Sequence, residues 1–334
     1  MNRLNVTADA LIYAPTPAHI QQAAHALQDG RLVALPTETV YGLGANAADA
    51  QAVAQIFAAK GRPADHPLIV HIPRAAYLTQ WAQCIPPYAQ QLADTFWPGP
   101  LTLILPKQAW VPTAVTGGQA TVGLRCPNHP VALALLDAFS KLNPQAGIAA
   151  PSANTFGRIS PTLAQHVADD LGDKVPMILD GGPCAIGIES TIVDCTQSQP
   201  RLLRRGAITP AQITALTGLA CVEPETITQR VSGNLAAHYA PRKPLQVLHF
   251  DALRAHPNLT QAAVWSFQAV ATAVWAATAP LNAQQYAHDL YAMLHTLDHT
   301  NADLILLEAP PTSSEWAAIW DRLQRAQTGS GQSR

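Results

Sequence analysis

A chain of 334 residues, 48% of them hydrophobic, has material for about two cored domains. Charged residues make up only 13%, against roughly 25% in an average globular protein, and 20 Lys/Arg against 22 Asp/Glu leave a net charge of −2, which excludes gripping a nucleic-acid backbone by bulk charge. Five cysteines (Cys84, Cys126, Cys184, Cys195, Cys221) form no Cys-x-x-Cys pair, which speaks against zinc and thioredoxin-like chemistry and suits reduced thiols in the cytoplasm.

The amino terminus, MNRLNVTADALIYAP, has no continuous apolar run and predicts no signal peptide. In TPAHIQQAAHALQDG, Thr16 is the predicted helix N-cap, Pro17 the first helical residue, and Gly30 lies past the end. The apolar run RLVAL then enters LPTETVYGLGANA, where two threonines, a glutamate, a tyrosine and two glycines stand where a short connection would do. GLGANA matches a loose Gly-x-Gly-x-x-Ala dinucleotide fingerprint. Pro36 to Tyr41 separate it from the apolar run, however, and spoil the tight turn that the motif needs. The next helix, ADAQAVAQIFAAKGRP, puts Val53, Ile56 and Phe57 on one face, starts at Asp49 and is ended by Gly61 and Pro63. Lys60 and Arg62 sit at its carboxyl end, where either alone would offset the helix dipole.

PLIVHI reads as a strand that buries His71, and LTLIL as another. TVGLRCP has period two: Val122 and Leu124 face one way, Thr121, Gly123 and Arg125 the other. A hydroxyl, a bare backbone and a guanidinium on one face suit a close-lying ligand, with Arg125 able to fork a carboxylate or phosphate; a solvated edge strand would show the same pattern. GIAAP runs into Pro151, Ser152 and Asn154, which read either as a plain Asx/Ser turn or as phosphate or ribose donors. Ser160-Pro161 and Thr209-Pro210 repeat the helix-entry pattern, with Gly172 and Gly218 closing those helices. PMILD, STIVD and RLLR are further strands. Ser190 stands at the mouth of STIVD, after a loop with Gly181, Gly182 and Gly187, and in RLLRRGAITP Arg204 and Arg205 come at the end of a strand and before a helix. Strands alternating with helices predict an α/β domain over 1–218. The sheet is mixed, because some strands follow one another directly.

From 219 to 243 the pattern dissolves into a long irregular linker, and such segments are often functional. Over 244–334, LQVLHF, AAVWSF, TAVWAAT and ADLILLEAP alternate with helical stretches and predict a second, smaller α/β domain of Rossmann-like type. Its 4 Lys/Arg against 7 Asp/Glu give −3, leaving +1 for the remainder. The charge-free run from Gln261 to Leu281 is Ala-rich and weakly apolar, so two short strands fit it better than a membrane span. The tail QTGSGQSR is predicted to be disordered.

Each of these features has an ordinary structural reading alone; their coincidence carries the argument. Lys60, Arg62, Arg125, Arg204 and Arg205 all lie at strand or helix ends beside Ser, Thr, Asn or Gly. Open α/β sheets bind ligands at the carboxyl ends of strands, and a cationic, hydroxyl-rich pocket there fits a phosphorylated ligand plus a small anion. No Gly-x-x-x-x-Gly-Lys-Ser/Thr loop is present, so the phosphates would be held another way.

PTETVYGLGANA, KGRPADHPLIVHI, TVGLRCP, APSAN, GIESTIVD and LLRRGAIT resemble the successive motifs of YrdC-like domains. SGNLAAHYAPRKPL resembles the linker of the long, two-domain threonylcarbamoyl-AMP synthases. The resemblance runs from Thr16 to Ala326 and implies a YrdC-like twisted mixed sheet with flanking helices. It also implies an activity, the formation of L-threonylcarbamoyladenylate from L-threonine, bicarbonate and ATP with release of pyrophosphate. The product would feed tRNA threonylcarbamoyl-transfer machinery that modifies the adenosine next to the anticodon, with room for weak contact with tRNA and none with a membrane. Lys60, Arg62, Ser152 and Asn154 match the family's Lys-x-Arg and Ser-x-Asn signatures, with Lys60 and Arg62 as catalytic cations. Thr39, His71, Arg125 and Ser190 would hold threonine. Arg62, His66, Thr121, Ala150, Ser152, Asn154, Arg204 and linker Tyr239 would contact ATP, with Mg2+ carried on the nucleotide and the linker closing over the site. His66 departs from the family's usual Asn, Arg205 from Pro and Asn234 from Met. No protein nucleophile or general base stands out, so catalysis would rest on positioning and charge stabilisation. Two other classes have YrdC-like domains. A carbamoyl-transfer enzyme should carry zinc-finger cysteines and an acylphosphatase-like region, which are not found, and an RNA-binding module is disfavoured by the net charge.

Overall fold

The computed structural model describes residues 11–225 and 229–332. The expectations for the extreme amino terminus, for linker residues 226–228 and for the last two tail residues lie outside the described residues. The chain divides into two compact units. The first takes the chain up to Thr155, then Pro161–Ala185 and Glu189–Gly233; the second takes Phe156–Ser160, Ile186–Ile188 and everything from Asn234.

In the first unit, β1 (Ile12–Tyr13) precedes α1 (Pro17–Gln28), whose N-cap Thr16 accepts the His19 N–H as expected. β2 (Val33–Leu35) pairs antiparallel with β3 (Gly42–Asn46), and α2 (Ala50–Lys60) follows, capped by Asp49 and ended by Gly61 in the left-handed region. Next come β4 (Ile69–His71), α3 (Leu78–Trp81), α4 (Pro87–Phe96), β5 (Leu101–Pro106), α5 (Thr113–Thr116), β6 (Thr121–Arg125), α6 (Pro130–Leu142) and β7 (Ile148–Ala149). α7 (Ala164–Leu171), β8 (Ile178–Leu179), β9 (Thr191–Asp194), β10 (Arg201–Arg204) and α8 (Pro210–Thr217) complete it, the last with a reciprocal Thr209–Gln212 capping box.

The strands form a mixed sheet in the order β1-β8-β2-β3-β7-β4-β6-β5-β9-β10. β6 lies between β4 and β5, not at an edge, which removes the solvated-edge reading of TVGLR. Strand alternation sorts the two faces of the β4-β6-β5-β9 region. Val70, Val122, Leu124, Leu101, Leu103 and Val193 enter the main core beneath. Ile69 and His71, Thr121, Gly123 and Arg125, and Thr102 and Ile104 take the alternate positions. Over β7, β2 and β8, by contrast, α1 and α6 pack together and bury Val33, Leu35, Ile148 and Leu179.

The second unit holds β11 (Leu245–Leu248), α9 (Phe250–Arg254), β12 (Ala262–Ser266), β13 (Trp275–Thr278), α10 (Ala283–Asp298), β14 (Leu304–Glu308) and α11 (Ala317–Gly329). Its strands are all parallel, in the order β11-β14-β12-β13. Trp265 stacks on Tyr286 at 4.1 Å between ring centroids, and Trp316 meets Tyr286 edge-on at 5.3 Å. Residues 156–160 and 186–188 are tied into this unit: the Ala240 N–H donates to Gly157 O at 2.9 Å, and Gly187 leaves no room for a Cβ against the His288 carbonyl. The run from Gln261 to Leu281 holds β12 and β13 as expected, and among the described residues no helix is long and apolar enough to cross a membrane.

Three expectations are corrected. GLGAN is a fully buried strand, not part of a loop. The helix expected at Ser160-Pro161 starts at Ala164, after Leu163 with no side-chain cap, and Ser160 falls in the second unit. The polar tail is helical through Gly329, and Ser330 Oγ accepts the Leu245 N–H at 2.9 Å, so local polarity yields there to tertiary contacts.

Candidate active site

The connection from β2 to β3 is built by its own hydroxyls. Thr37 Oγ1 donates to Val40 O at 2.6 Å and accepts the N–H groups of Thr39 and Val40, both at 3.2 Å. Thr39 Oγ1 lies 2.9 Å from Thr37 Oγ1, and both residues are buried. Tyr41 donates its hydroxyl to Gly182 O at 2.8 Å, so that group serves the fold. This turn carries Glu38 inward, where its Oε2 lies 2.7 Å from Arg125 Nη2, each side chain 5% exposed.

Arg125 ends β6 and stands in register with His71, which ends β4. Burial, and then the Arg125 charge, push the His71 imidazole down to about 3, so it is neutral at physiological pH. The Arg125–Glu38 contact is close without the alignment of a hydrogen bond. Arg125 Nε and Nη2 and both Glu38 oxygens are buried with no hydrogen-bond partner among the described residues.

One strand further, Ser190 Oγ lies 2.8 Å from Thr102 Oγ1. Arg204, at the end of β10, donates through Nη2 to Ser190 Oγ and through Nε to Ser190 O, both at 3.0 Å, and through Nη1 to Ser232 O at 2.8 Å. Arg62 donates to Pro67 O at 2.9 Å and to Ser232 Oγ at 3.3 Å. Lys60 does more than offset its helix dipole. Its buried Nζ donates to Ser152 O at 2.6 Å and Asn154 O at 2.5 Å, which holds the APSAN turn. Burial and then Arg62 hold its amine well below the usual lysine range.

Ala150 donates its N–H to Ile69 O at 3.0 Å, Ser152 bridges Gly42, and Asn154 Nδ2 donates to Thr155 O at 2.7 Å. His66, on the loop before β4, is half-buried, with its pKa lowered by burial and then by Arg62. Thr121 Oγ1 accepts from Gln229 Nε2 at 2.9 Å. The segment 229–232 thereby walls a small cleft whose floor is Ile69, Thr121, Gly123, Ile104 and Ile192.

The structure thus gathers Lys60, Arg62, His71, Thr121, Arg125, Ser190 and Arg204 in the first unit. They spread across a sheet face rather than collect at carboxyl strand ends, since Thr121 and Ser190 stand at the beginnings of their strands. Arg205 does not join them; it is half-exposed and pairs with Glu223. Tyr239 belongs to the second unit, where it is buried, its ring centroid 5.6 Å from that of Tyr291 and 5.5 Å from the Arg322 guanidinium carbon. Glu38, Thr102, Gln229 and Ser232 were not singled out from sequence. Glu38 had one signal, a carboxylate between two threonines in a stretch already conspicuous.

A family model described as "Telomere recombination", covering Sua5, YciO and YrdC, matches residues 25–206. A second, "Threonylcarbamoyl-AMP synthase, C-terminal domain", matches residues 208–328. The chain is 39% identical to the threonylcarbamoyl-AMP synthase of Pyrococcus abyssi, over 92% of this chain and 93% of its relative. The chain belongs to the threonylcarbamoyl-AMP synthase family. The family's Bacillus subtilis enzyme is 40% identical, over 93% of each chain. The crystal structure of P. abyssi Sua5 complexed with L-threonine superposes with a TM-score of 0.86 at 37% identity, covering 95% of this chain and 98% of that one. A threonylcarbamoyl-AMP synthase is a nucleotidyl-transferring enzyme, which agrees with the chemistry of this site.

Proposed function

We propose that the chain joins L-threonine, bicarbonate and ATP into L-threonylcarbamoyladenylate and pyrophosphate. The carrying observation is Arg125: a buried guanidinium whose Nε meets no acceptor among the described residues and whose Nη2 meets only Glu38 Oε2, out of hydrogen-bond alignment, beside a neutral His71 and the Ser190–Thr102 hydroxyl pair. Such a fork fits the carboxylate of an amino acid, and the P. abyssi relative has been solved with L-threonine. Thr39, His71, Arg125 and Ser190 hold threonine. Arg62, His66, Thr121, Ala150, Ser152, Asn154 and Arg204 receive ATP, with Tyr239 contributed by the linker as it closes. The carbamate oxygen attacks the α-phosphorus and pyrophosphate leaves. Lys60 gives two N–H groups to carbonyls, which leaves one for a phosphate oxygen, and an approaching phosphate favours its charged form. Lys60 and Arg62 together stabilise the charge developing on the phosphates.

Among the described residues no three His, Cys, Asp or Glu side chains gather where they would hold a metal ion. Mg2+ is taken to arrive with the nucleotide, as part of the substrate. The product serves a cytoplasmic tRNA threonylcarbamoyl-transfer machinery acting next to the anticodon, with at most weak direct contact with tRNA. The test is pyrophosphate release from ATP with threonine and bicarbonate omitted in turn. Release should require both; equal release without threonine overturns the assignment.

A further inference from the structure

The turn between Thr37 and Thr39 buries a carboxylate that the protein leaves without hydrogen bonds. Glu38 is 4% exposed, and neither carboxylate oxygen finds a hydrogen-bond donor among the described residues. The Arg125 guanidinium, 2.7 Å from Oε2, balances its charge but is not aligned for a hydrogen bond, and Oε1 has no partner at all among the described residues. Leaving buried acceptors unmade is unfavourable, so the pair is poorly arranged as a structural salt bridge. It is well arranged for a zwitterion. The unpartnered N–H groups of Arg125 match the carboxylate of an α-amino acid, and the unpartnered oxygens of Glu38 match its ammonium.

Four side chains face Glu38. Arg125 approaches from β6, Cys126 from the residue beyond it, His129 from the N-cap of α6, and Cys184 from the loop after β8. Burial pushes the thiols of Cys126 and Cys184 up to about 12, so both stay protonated. Burial lowers the His129 imidazole below its ordinary value, so it is neutral at physiological pH. Arg125 is the single cation of the four.

We propose that Glu38 binds the ammonium of L-threonine and is the base that frees its amine for carbamate formation. This rests on the threonine-activating function proposed above. One ammonium proton moves to Glu38. The nitrogen lone pair then attacks the bicarbonate carbon and forms the N–C bond. The carbon–hydroxyl bond breaks, and the leaving hydroxyl takes a second nitrogen proton to become water. The carbamate keeps the third proton on nitrogen and the negative charge on oxygen. Threonine ammonium, bicarbonate and the Glu38 carboxylate thus become carbamate, water and a protonated Glu38. The carbamate oxygen is then ready for the α-phosphate, a step in which Glu38 takes no part.

That separation supplies the test. Glu38→Gln and Glu38→Asp are compared with the wild-type chain in the forward reaction, as pyrophosphate release against pH. They are also compared in the reverse half-reaction, as ATP formed from synthetic threonylcarbamoyladenylate and pyrophosphate. Glu38→Gln should slow the forward reaction at neutral pH by at least about a hundredfold, and its rate should climb with pH as bulk solvent deprotonates the amine. The reverse half-reaction and the KM for ATP should not change, and Glu38→Asp should restore part of the forward rate. A forward rate and pH profile like those of the wild type overturn the proposal, as does an equal loss in both directions, which marks a structural role. If Glu38→Gln does not fold, Glu38→Asp decides: forward loss with the reverse reaction intact supports the base, and equal loss overturns it. A wild-type chain without threonine-dependent release would instead sink the proposed function itself.

Discussion

Arg125 meets two demands at once: its Nη2 neutralises a buried carboxylate, and its Nε is left without a partner among the described residues, open to a ligand. Arg125→Ala should therefore act mainly on threonine. Losing a charge-assisted fork costs about 1.5–3 kcal/mol, which is about a ten- to 150-fold rise in the KM for threonine. Lys60→Ala should instead lower kcat, because it releases the carbonyls of Ser152 and Asn154 that shape the phosphate side. Steady-state kinetics with each substrate varied separates the two; a threonine KM unchanged in Arg125→Ala removes its assigned role. The Arg125 side of the pocket was legible because alternation along TVGLR fixes which residues share a face. Glu38 was not, since a glutamate in a polar turn reads as solvated until β2 and β3 are seen to bury that turn.

At the scale of elements, β3 sets where that turn lies, and Gly44 sets how closely β3 packs. A Cβ on Gly44 would come within 2.9 Å of Ile148 Cγ2, Leu35 Cδ2 and Val33 O, and the carbonyl cannot swing aside as a side-chain tip can. Gly44→Ala should destabilise the fold by about 1–3 kcal/mol through overpacking, read as a lower urea midpoint with an unchanged m-value. An unchanged midpoint would mean that the strands separate freely. Gly44 thus serves the close packing of the strands. β3 escaped the sequence reading because GLGAN is buried on both faces and low in β-branched residues, so it shows neither alternation nor propensity. The four strands of the second unit were legible because each is a short apolar run bounded by breaks. Its recruitment of residues 156–160 and 186–188 was not, since tertiary contact rather than local pattern assigns them.

At the scale of the whole molecule, the linker changes allegiance at Gly233, whose φ of +84° lies in the left-handed region, so that its first part is fastened into the first unit. Gln229 holds Thr121. Arg230 donates to Asp65 Oδ2 at 2.6 Å and to Gly117 O at 2.9 Å, and Val231 packs with Ile104, Ile192 and Leu203. Ser232 is gripped by Arg62 and Arg204. Thr121, Arg62 and Arg204 are the side chains assigned here to ATP, so the segment 229–232 and the nucleotide compete for the same groups. Binding then includes the work of detaching the segment, and the apparent affinity is reduced by the fraction of chains in which it is attached. Gln229→Ala removes one hydrogen bond, about 1 kcal/mol, without touching a residue assigned to substrate. It should tighten ATP binding by up to about fivefold, measured by calorimetry without threonine. ATP alone should also make the wild-type segment easier to cleave by protease around Arg230. Weaker ATP binding in Gln229→Ala would make the segment part of the nucleotide site rather than its competitor, and unchanged binding with unchanged cleavage would place ATP away from Thr121.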